Sequence, residues 1–354
     1  MKFDLIKEYA KAMRAENMSI GFYYSLTNNF FMNVGGKVAR GESGWLPGMA
    51  KGVNQSEFER IAYAQLSELW QNYGEYSEVW LDGGYPLSML SEMRTHLPEW
   101  QPKAVAWNGL GNYDPHSNDT VLTKSPVRWI GTESGLPNAK NIWATASQKG
   151  DYSGTGDPNS PVFAPPGCDT ILQVHGWFWM GHNVRTLTDL QEVYHTTVGR
   201  NCVIELDFAI DRDGLVDPVH ATRYREFGDW ISSCYGRAPA FNSQAVAAVE
   251  AKLLAGNGTN GQQMLELSTP MTIDRVMIQE DIAHGQRIRQ YSVAVRVGGE
   301  WQNVSTGQSV GNKRIDLLGA PLAAVTALRL TVEANQAAPV HLKYFGAFKP
   351  CASS

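Results

Sequence analysis

Between Met1 and Gly236 the apolar positions follow two alternating periods. Leu5, Ile6, Tyr9, Ala10 and Met13 recur at i, i+1, i+4, i+5 and i+8, which predicts an amphipathic helix. Phe58, Ile61, Ala62, Leu66, Leu69 and Trp70 mark the buried face of a second helix, with Ser56 and Glu59 spaced as a capping box at its start. A short helix over 87–96 follows. Leu187, Leu190, Tyr194 and Val198 mark another, closed by Gly199. Asp217-Pro218 offers an N-cap and a first-position proline for the last, which is expected to bury Val219, Phe227, Ile231 and Cys234 and to stop at Gly236.

Short apolar runs lie between these helices. Ser19-Ile20-Gly21-Phe22-Tyr23-Tyr24, Glu78-Val79-Trp80-Leu81, Ala104-Val105-Ala106-Trp107 and Cys202-Val203-Ile204-Glu205-Leu206 read as buried strands. Strand and helix in short alternation predict parallel βα units. The run from 110 to 185 interrupts that rhythm. It is rich in Gly, Pro, Asn and Trp and reads as a functional loop region. A (β/α)8-type barrel uses eight strands, so two or three units are expected to be lacking on the N-terminal side.

Beyond Gly236 the period becomes two. Arg275-Val276-Met277-Ile278, Tyr291 to Val297 and Leu328 to Val332 alternate, with turn residues such as Gly298-Gly299 between them. This predicts an antiparallel β-sandwich over 237–354 after a barrel domain over 1–236.

Composition narrows the function classes. The chain has 354 residues, 18% of them charged and 43% hydrophobic, with 11 Trp, a profile that excludes disorder. A net charge of −5 without a long basic run argues against nucleic acid or an anionic membrane as partner. No apolar run approaches the roughly 18 residues of a membrane helix. No signal-peptide pattern precedes the first helix. Cys168, Cys202, Cys234 and Cys351 form no C-x-x-C pair and are expected to be buried thiols or to include one disulfide. Sequons at Asn17, Asn54, Asn118, Asn257 and Asn303 suit a secreted glycoprotein.

The candidate chemistry starts at Asp82, which ends a predicted strand and is followed by Gly83-Gly84. In parallel βα architectures catalytic groups sit at the carboxyl ends of strands. The competing reading is an Asp that caps the next helix. Trp80 shares the same strand face and could serve as a stacking surface for a sugar, or as core. A second carboxylate, Glu133, lies between Gly131 and Gly135 in the long loop region. Retaining glycoside hydrolysis needs a nucleophile and an acid/base carboxylate roughly 5–5.5 Å apart. No G-x-S-x-G, P-loop, H-E-x-x-H or G-x-G-x-x-G motif offers another chemistry, and the eight histidines show no metal-ligand spacing.

Several collinear motifs carry a resemblance. Gly21-Phe22-Tyr23-Tyr24-Ser25, Glu78-Val79-Trp80-Leu81-Asp82-Gly83, Arg128-Trp129-Ile130-Gly131-Thr132-Glu133-Ser134-Gly135, Gly176-Trp177-Phe178-Trp179 and Val198-Gly199-Arg200-Asn201-Cys202 together resemble the α-L-fucosidases of glycoside hydrolase family 29. Asp211-Arg212-Asp213-Gly214-Leu215-Val216 and, in the C-terminal part, Asp274 to Ile282 and Ile288-Arg289-Gln290-Tyr291 extend it to the plant-like and bacterial branch. The resemblance implies Asp82 as nucleophile and Glu133 as acid/base. It implies Tyr24 or Tyr23, Trp80 and Trp177 as aromatics of a fucose pocket, with Arg128 as a further contact. It implies no metal or organic cofactor, a fucosylated oligosaccharide or glycoprotein glycan as partner, and a secreted or lysosomal/vacuolar-type location. Two departures stand out. The family's first barrel strands and a His-His-Asp-Gly-Phe-like motif have no counterpart, and Glu205-Leu206-Asp207-Phe208-Ala209 stands where the family usually reads Leu-Asn-Val-Pro-Pro. The alternatives are a truncated carbohydrate-binding protein without catalysis and a different retaining barrel glycosidase.

Overall fold

A computed structural model describes residues 3–41, 52–107, 122–130, 132–146, 155–236, 245–253, 260–334 and 339–351. The chain divides into two compact units, the first made of Met1–Trp129, Ala146–Tyr152 and Ser160–Ala164, the second of Ile130–Thr145, Ser153–Asn159 and Pro165–Ser354.

The first unit opens with helix α1 (Leu5–Ala15), capped by the Asp4 carboxylate, which accepts from the Lys7 amide. Strand β1 (Gly21–Ser25) follows. The Asn- and Gly-rich segment after it forms a small antiparallel sheet of β2 (Asn28–Asn29), β3 (Val34–Gly35) and β4 (Val38–Ala39). Helix α2 (Gln55–Asn72) buries Phe58, Ala62, Leu66 and Trp70, one residue per turn. Each such large side chain contributes about 1.5–3 kcal/mol relative to exposure. The expected capping box does not form. Asn54 is the N-cap, with extended backbone and its Oδ1 accepting from the Glu57 amide. The helix thus starts before Ser56, whose hydroxyl donates to Asn54, while Glu59 accepts from Gln55 and Ser88.

Strand β5 (Glu78–Asp82) leads to a single 3-10 turn (Leu87–Met89) and helix α3 (Leu90–Trp100), longer than its sequence pattern indicates. Strands β6 (Val105–Trp107) and β7 (Pro126–Trp129) complete a parallel order β1-β5-β6-β7. Strand β7 lies inside the run first read as loop.

So does β8 (Pro166–Ile171), the first strand of the second unit. It is followed by α4 (Leu187–Thr196), β9 (Val203–Asp207) parallel to β8, and α5 (Pro218–Tyr235). A capping box sits on α4 instead. The Thr186 hydroxyl accepts from the Asp189 amide, and the Asp189 carboxylate accepts from the Thr186 amide. On α5 the buried residues are His220, Phe227, Trp230, Cys234 and Tyr235, and Val219 is exposed instead. Within the first turn His220 faces inward and Val219, its neighbour one position earlier, faces solvent.

The rest of the second unit is antiparallel: β10 (Ala245–Leu253), β11 (Asn260–Glu280), β12 (Ile288–Val297), β13 (Glu300–Gly307), β14 (Arg314–Ala334) and β15 (His341–Phe348), in the order β10-β15-β11-β14-β12-β13. Register shifts along β11 and β14 are the bulges that let such long strands bend around their own apolar core. Both cysteine expectations are met at different positions. Cys234 and Cys351 are disulfide-bonded, and Cys168 and Cys202 are buried free thiols. Of the sequons, Asn17 follows α1, Asn54 caps α2 and Asn303 lies exposed on β13. Asn118 and Asn257 lie outside the described residues.

Candidate active site

In the first unit, strand register builds a row of rings below a carboxylate. Tyr23 on β1 pairs with Trp80 on β5, and Trp80 pairs with Trp107 on β6. Side chains at paired positions share a face. Tyr23 and Trp80 have centroids 5.5 Å apart, and Trp80 and Trp107 stack at 5.2 Å with an interplanar angle of 17°. Two residues further along β5, Asp82 projects on the same face beside Ser25.

The Tyr23 hydroxyl donates to Asp82 Oδ2 at 2.5 Å. Partial burial and this bond to the carboxylate push the phenol above its ordinary value, so it stays a donor. Among the described residues, Tyr23 is the one donor to that carboxylate, which is partly exposed and keeps lone pairs for another group. Gly83 holds φ at +68°, and a Cβ there would meet the Thr27 Oγ1 at 2.2 Å. That hydroxyl in turn donates to the Asp82 carbonyl at 2.6 Å. Only glycine permits both the turn and the close approach. Tyr24, the neighbour on the opposite strand face, donates to Gln65 on α2 at 2.5 Å, and burial pushes its phenol up to about 12. Of the two tyrosines, Tyr23 is therefore the one at Asp82. Arg128 on β7 is buried.

In the second unit, Glu133 has an exposed side chain on a fastened backbone. Its carbonyl accepts from the Thr170 hydroxyl at 2.8 Å, and Ser134 bridges to Thr170 on β8. The Arg185 guanidinium donates to the Ser134 carbonyl at 2.9 Å and to the Thr170 Oγ1 at 3.0 Å. Gly135, at φ +73°, packs where a Cβ would touch Val193 and Thr170. Trp177 is 41% exposed on a hairpin that continues from β8.

The motif reading missed two further acidic features. Asp169 on β8 and Glu205 on β9 are paired in register, and Asp207 follows on the Glu205 face. Burial, then the charges of Glu205 and Asp169, push the Asp207 carboxyl up to about 6. The spacing Glu205-x-Asp207 on a predicted strand was the available signal. The second is Asp217, read only as a cap. Burial works against its charge, yet the Trp179 indole, the Val219 amide and His182 hold it down to about 2. No three His, Cys, Asp or Glu side chains among the described residues are grouped to hold a metal ion. No helix among them is long and apolar enough to cross a membrane.

A parallel β/α region with a carboxylate at a strand end, over stacked aromatics and joined to an antiparallel module, is the layout of a barrel carbohydrate-active protein. The family model for alpha-L-fucosidase matches residues 1–236, and the chain belongs to that family. It is 25% identical over 383 aligned positions to a protein designated alpha-L-fucosidase 1 in Oryza sativa subsp. japonica, covering 98% of this chain and 66% of the relative. It is 26% identical to alpha-L-fucosidase 1 of Arabidopsis thaliana, covering 82% of this chain and 62% of that protein. The chain thus spans just under two thirds of the length of these relatives. A crystal structure from Bacteroides thetaiotaomicron, described as an alpha-L-fucosidase, superposes with a TM-score of 0.79 at 27% identity, over 99% of this chain and 76% of the other. A Ruminococcus gnavus GH29 fucosidase solved with fucose shares the fold, with a TM-score of 0.77 at 21% identity over 99% of this chain and 76% of that one. The fold is accordingly that of a (β/α)8-like domain followed by a β-sandwich.

Proposed function

We propose that the protein is a retaining, exo-acting α-L-fucosidase that removes terminal fucose from oligosaccharides or glycoprotein glycans. Asp82 attacks the anomeric carbon and forms a glycosyl-enzyme ester, while Glu133 protonates the departing glycosidic oxygen. Glu133 then takes a proton from water, which attacks the ester and releases fucose with the configuration it had in the substrate. Tyr23 orients the nucleophile, Trp80 offers the sugar an apolar face, and Trp177 and Arg128 complete the fucose contacts. Residues 1–236 supply the chemistry, and 237–354 form the accessory β-sandwich.

The observation that carries this reading is the Asp82 carboxylate, partly exposed at a strand end, with Tyr23 its one donor among the described residues and a stacked aromatic pair beside it. The Cys234–Cys351 disulfide supports residence in an oxidising compartment, and the exposed sequon at Asn303 is compatible with glycosylation there. A 2-deoxy-2-fluoro-fucosyl fluoride, which forms the ester fast and hydrolyses it slowly, tests the mechanism. Intact-mass and peptide mapping are expected to find one fucosyl adduct, on Asp82, and an adduct elsewhere overturns the assignment. In Glu133→Ala, added azide should restore turnover of an activated fucoside and yield the fucosyl azide with retained configuration.

The rival reading is a carbohydrate-binding protein without catalysis. A chain that binds fucosylated glycans without turnover would show saturable fucose binding and no adduct.

A further inference from the structure

The hairpin that continues from β8 holds apolar groups in water and is braced by hydrogen bonds along its length. Gln173 and Val184 bridge its base, and the Arg185 amide donates to the Leu172 carbonyl at 3.0 Å. The buried Gln173 side chain donates to the Gly176 carbonyl at 2.5 Å and to the Phe178 carbonyl at 3.0 Å. The Trp179 indole donates to Asp217 Oδ2 at 3.0 Å, and the buried His220 ring meets the Gly181 carbonyl at 3.2 Å. The outcome of this bracing is that Phe178 stands 85% exposed and Met180 70% exposed, with Val174 and Trp177 beside them in sequence and also exposed. Clustered exposed apolar side chains mark a contact surface, whereas scattered ones need no explanation. A loop braced at four points keeps that surface preorganised, which lowers the entropy lost when a ligand lands on it.

His182 adds one directional polar group. Its Nδ1 lies 2.6 Å from Asp217 Oδ2. An ionised carboxylate only accepts, so Nδ1 carries the hydrogen, and in the neutral ring Nε2 keeps its lone pair. The His182 side chain is 71% exposed, so that acceptor is open to solvent. Apolar surface plus an oriented acceptor suits a sugar ring, with its C–H face and its hydroxyls, better than a purely apolar group. The same strand links the hairpin to Glu133 through Thr170, whose hydroxyl holds the Glu133 carbonyl. The group that Glu133 protonates is the leaving sugar.

We propose that Phe178, Met180 and His182 form the site for the sugar residue from which fucose is cleaved, with Phe178 and Met180 against its C–H face and His182 Nε2 accepting from one of its hydroxyls. This rests on the fucosidase reading, and the test separates the two. Two substrates are compared in the full chain: α-L-fucosyl fluoride, whose leaving group occupies no sugar site and needs no proton, and fucosyl disaccharides differing in linkage. The ratio of disaccharide to fluoride kcat/KM is expected to fall about 5- to 10-fold in Phe178→Ala, mainly through the disaccharide KM. A fall of similar size is expected in His182→Gln. Because the Phe178 ring is exposed and, unlike the His182 ring, holds no hydrogen bond to Asp217, the melting temperature of Phe178→Ala should stay near that of the parent chain. Unchanged ratios in both variants overturn the inference. Saturation-transfer NMR with the best disaccharide reads the same site without turnover. Signal on the second sugar's ring protons that drops in Phe178→Ala supports the site, and equal signal in both proteins overturns it. Failure of the parent chain to hydrolyse the fluoride would strike the hydrolase reading alone.

Discussion

Asp82 and Asp217 are the same side chain in two different situations. Asp82 ends a strand, is partly exposed and, among the described residues, takes one side-chain hydrogen bond, from a tyrosine distant in sequence. Asp217 begins a helix, is buried, and accepts from the Val219 amide, the Trp179 indole and His182. A carboxylate saturated by donors is poorly nucleophilic and is committed to holding structure. One with a single donor and open lone pairs can make a new bond. Among the described residues the two carboxylates differ in the number and origin of their donors, and this is the difference on which the proposed role of Asp82 rests.

The sharpest way to break this contrast is to remove each carboxylate charge in turn. Asp82→Asn is expected to lower kcat/KM by at least about 1,000-fold, as loss of a nucleophile does. Its melting temperature should barely move, because the asparagine carbonyl oxygen can still accept from Tyr23. Asp217→Asn should do the reverse, lowering the melting temperature while retaining most turnover of the fluoride. Matching activity losses in the two variants would remove the distinction.

A smaller effect is expected at Tyr23. Tyr23→Phe keeps the ring against Trp80 and removes only the donor to Asp82, so kcat/KM should fall roughly 10- to 100-fold, the range for a hydrogen bond to a charged group. No change would mean that the bond seen here does not orient the nucleophile.

The mildest test concerns stability and pH in the second unit. His195 is mostly buried against Tyr235, its Nε2 2.7 Å from the phenol oxygen, and burial, then the Arg275 charge, hold the imidazole down to about 4. Its folded value lies below the unfolded one of about 6.5, so the unfolded chain binds the proton first as pH falls. The stabilisation is complete above about pH 6.5 and is lost between there and about pH 4, amounting to at most about 3 kcal/mol. Asp207, pushed up to about 6, works in the opposite sense over much of that range. The His195 contribution is therefore read as the difference between melting curves of the parent chain and His195→Gln, which should converge toward pH 4.

Most helices were legible because their signals are local. The four-residue spacing from Phe58 to Trp70 and the Asp217-Pro218 start act within one or two turns. The α2 cap was misplaced by two residues because Asn54 and Ser56 are both competent caps, and which one serves depends on where the chain enters the helix. Strands β7 and β8 were hidden because each begins at a proline and neither alternates, being buried along most of its length. Asp82 and Glu133 were proposed from motif order, whereas the hairpin's bracing by Asp217 and His220 was not legible, since those partners lie on a separate helix.

Residue order alone thus settled the local matters: helix faces, the period-two strands after Gly236, the glycine turn after Asp82. Strand pairing settled the rest. It set Tyr23, and not Tyr24, against Asp82 across 59 residues of chain. It stacked Trp80 on Trp107. The packing of α5 near the end of the last strand joined Cys234 to Cys351 and left Cys168 and Cys202 as thiols. The physical reason is range. Caps and periodicity act over about a turn of helix, whereas donor assignment at a carboxylate depends on which distant backbone comes to lie 5 Å away in the sheet, roughly the spacing between strands.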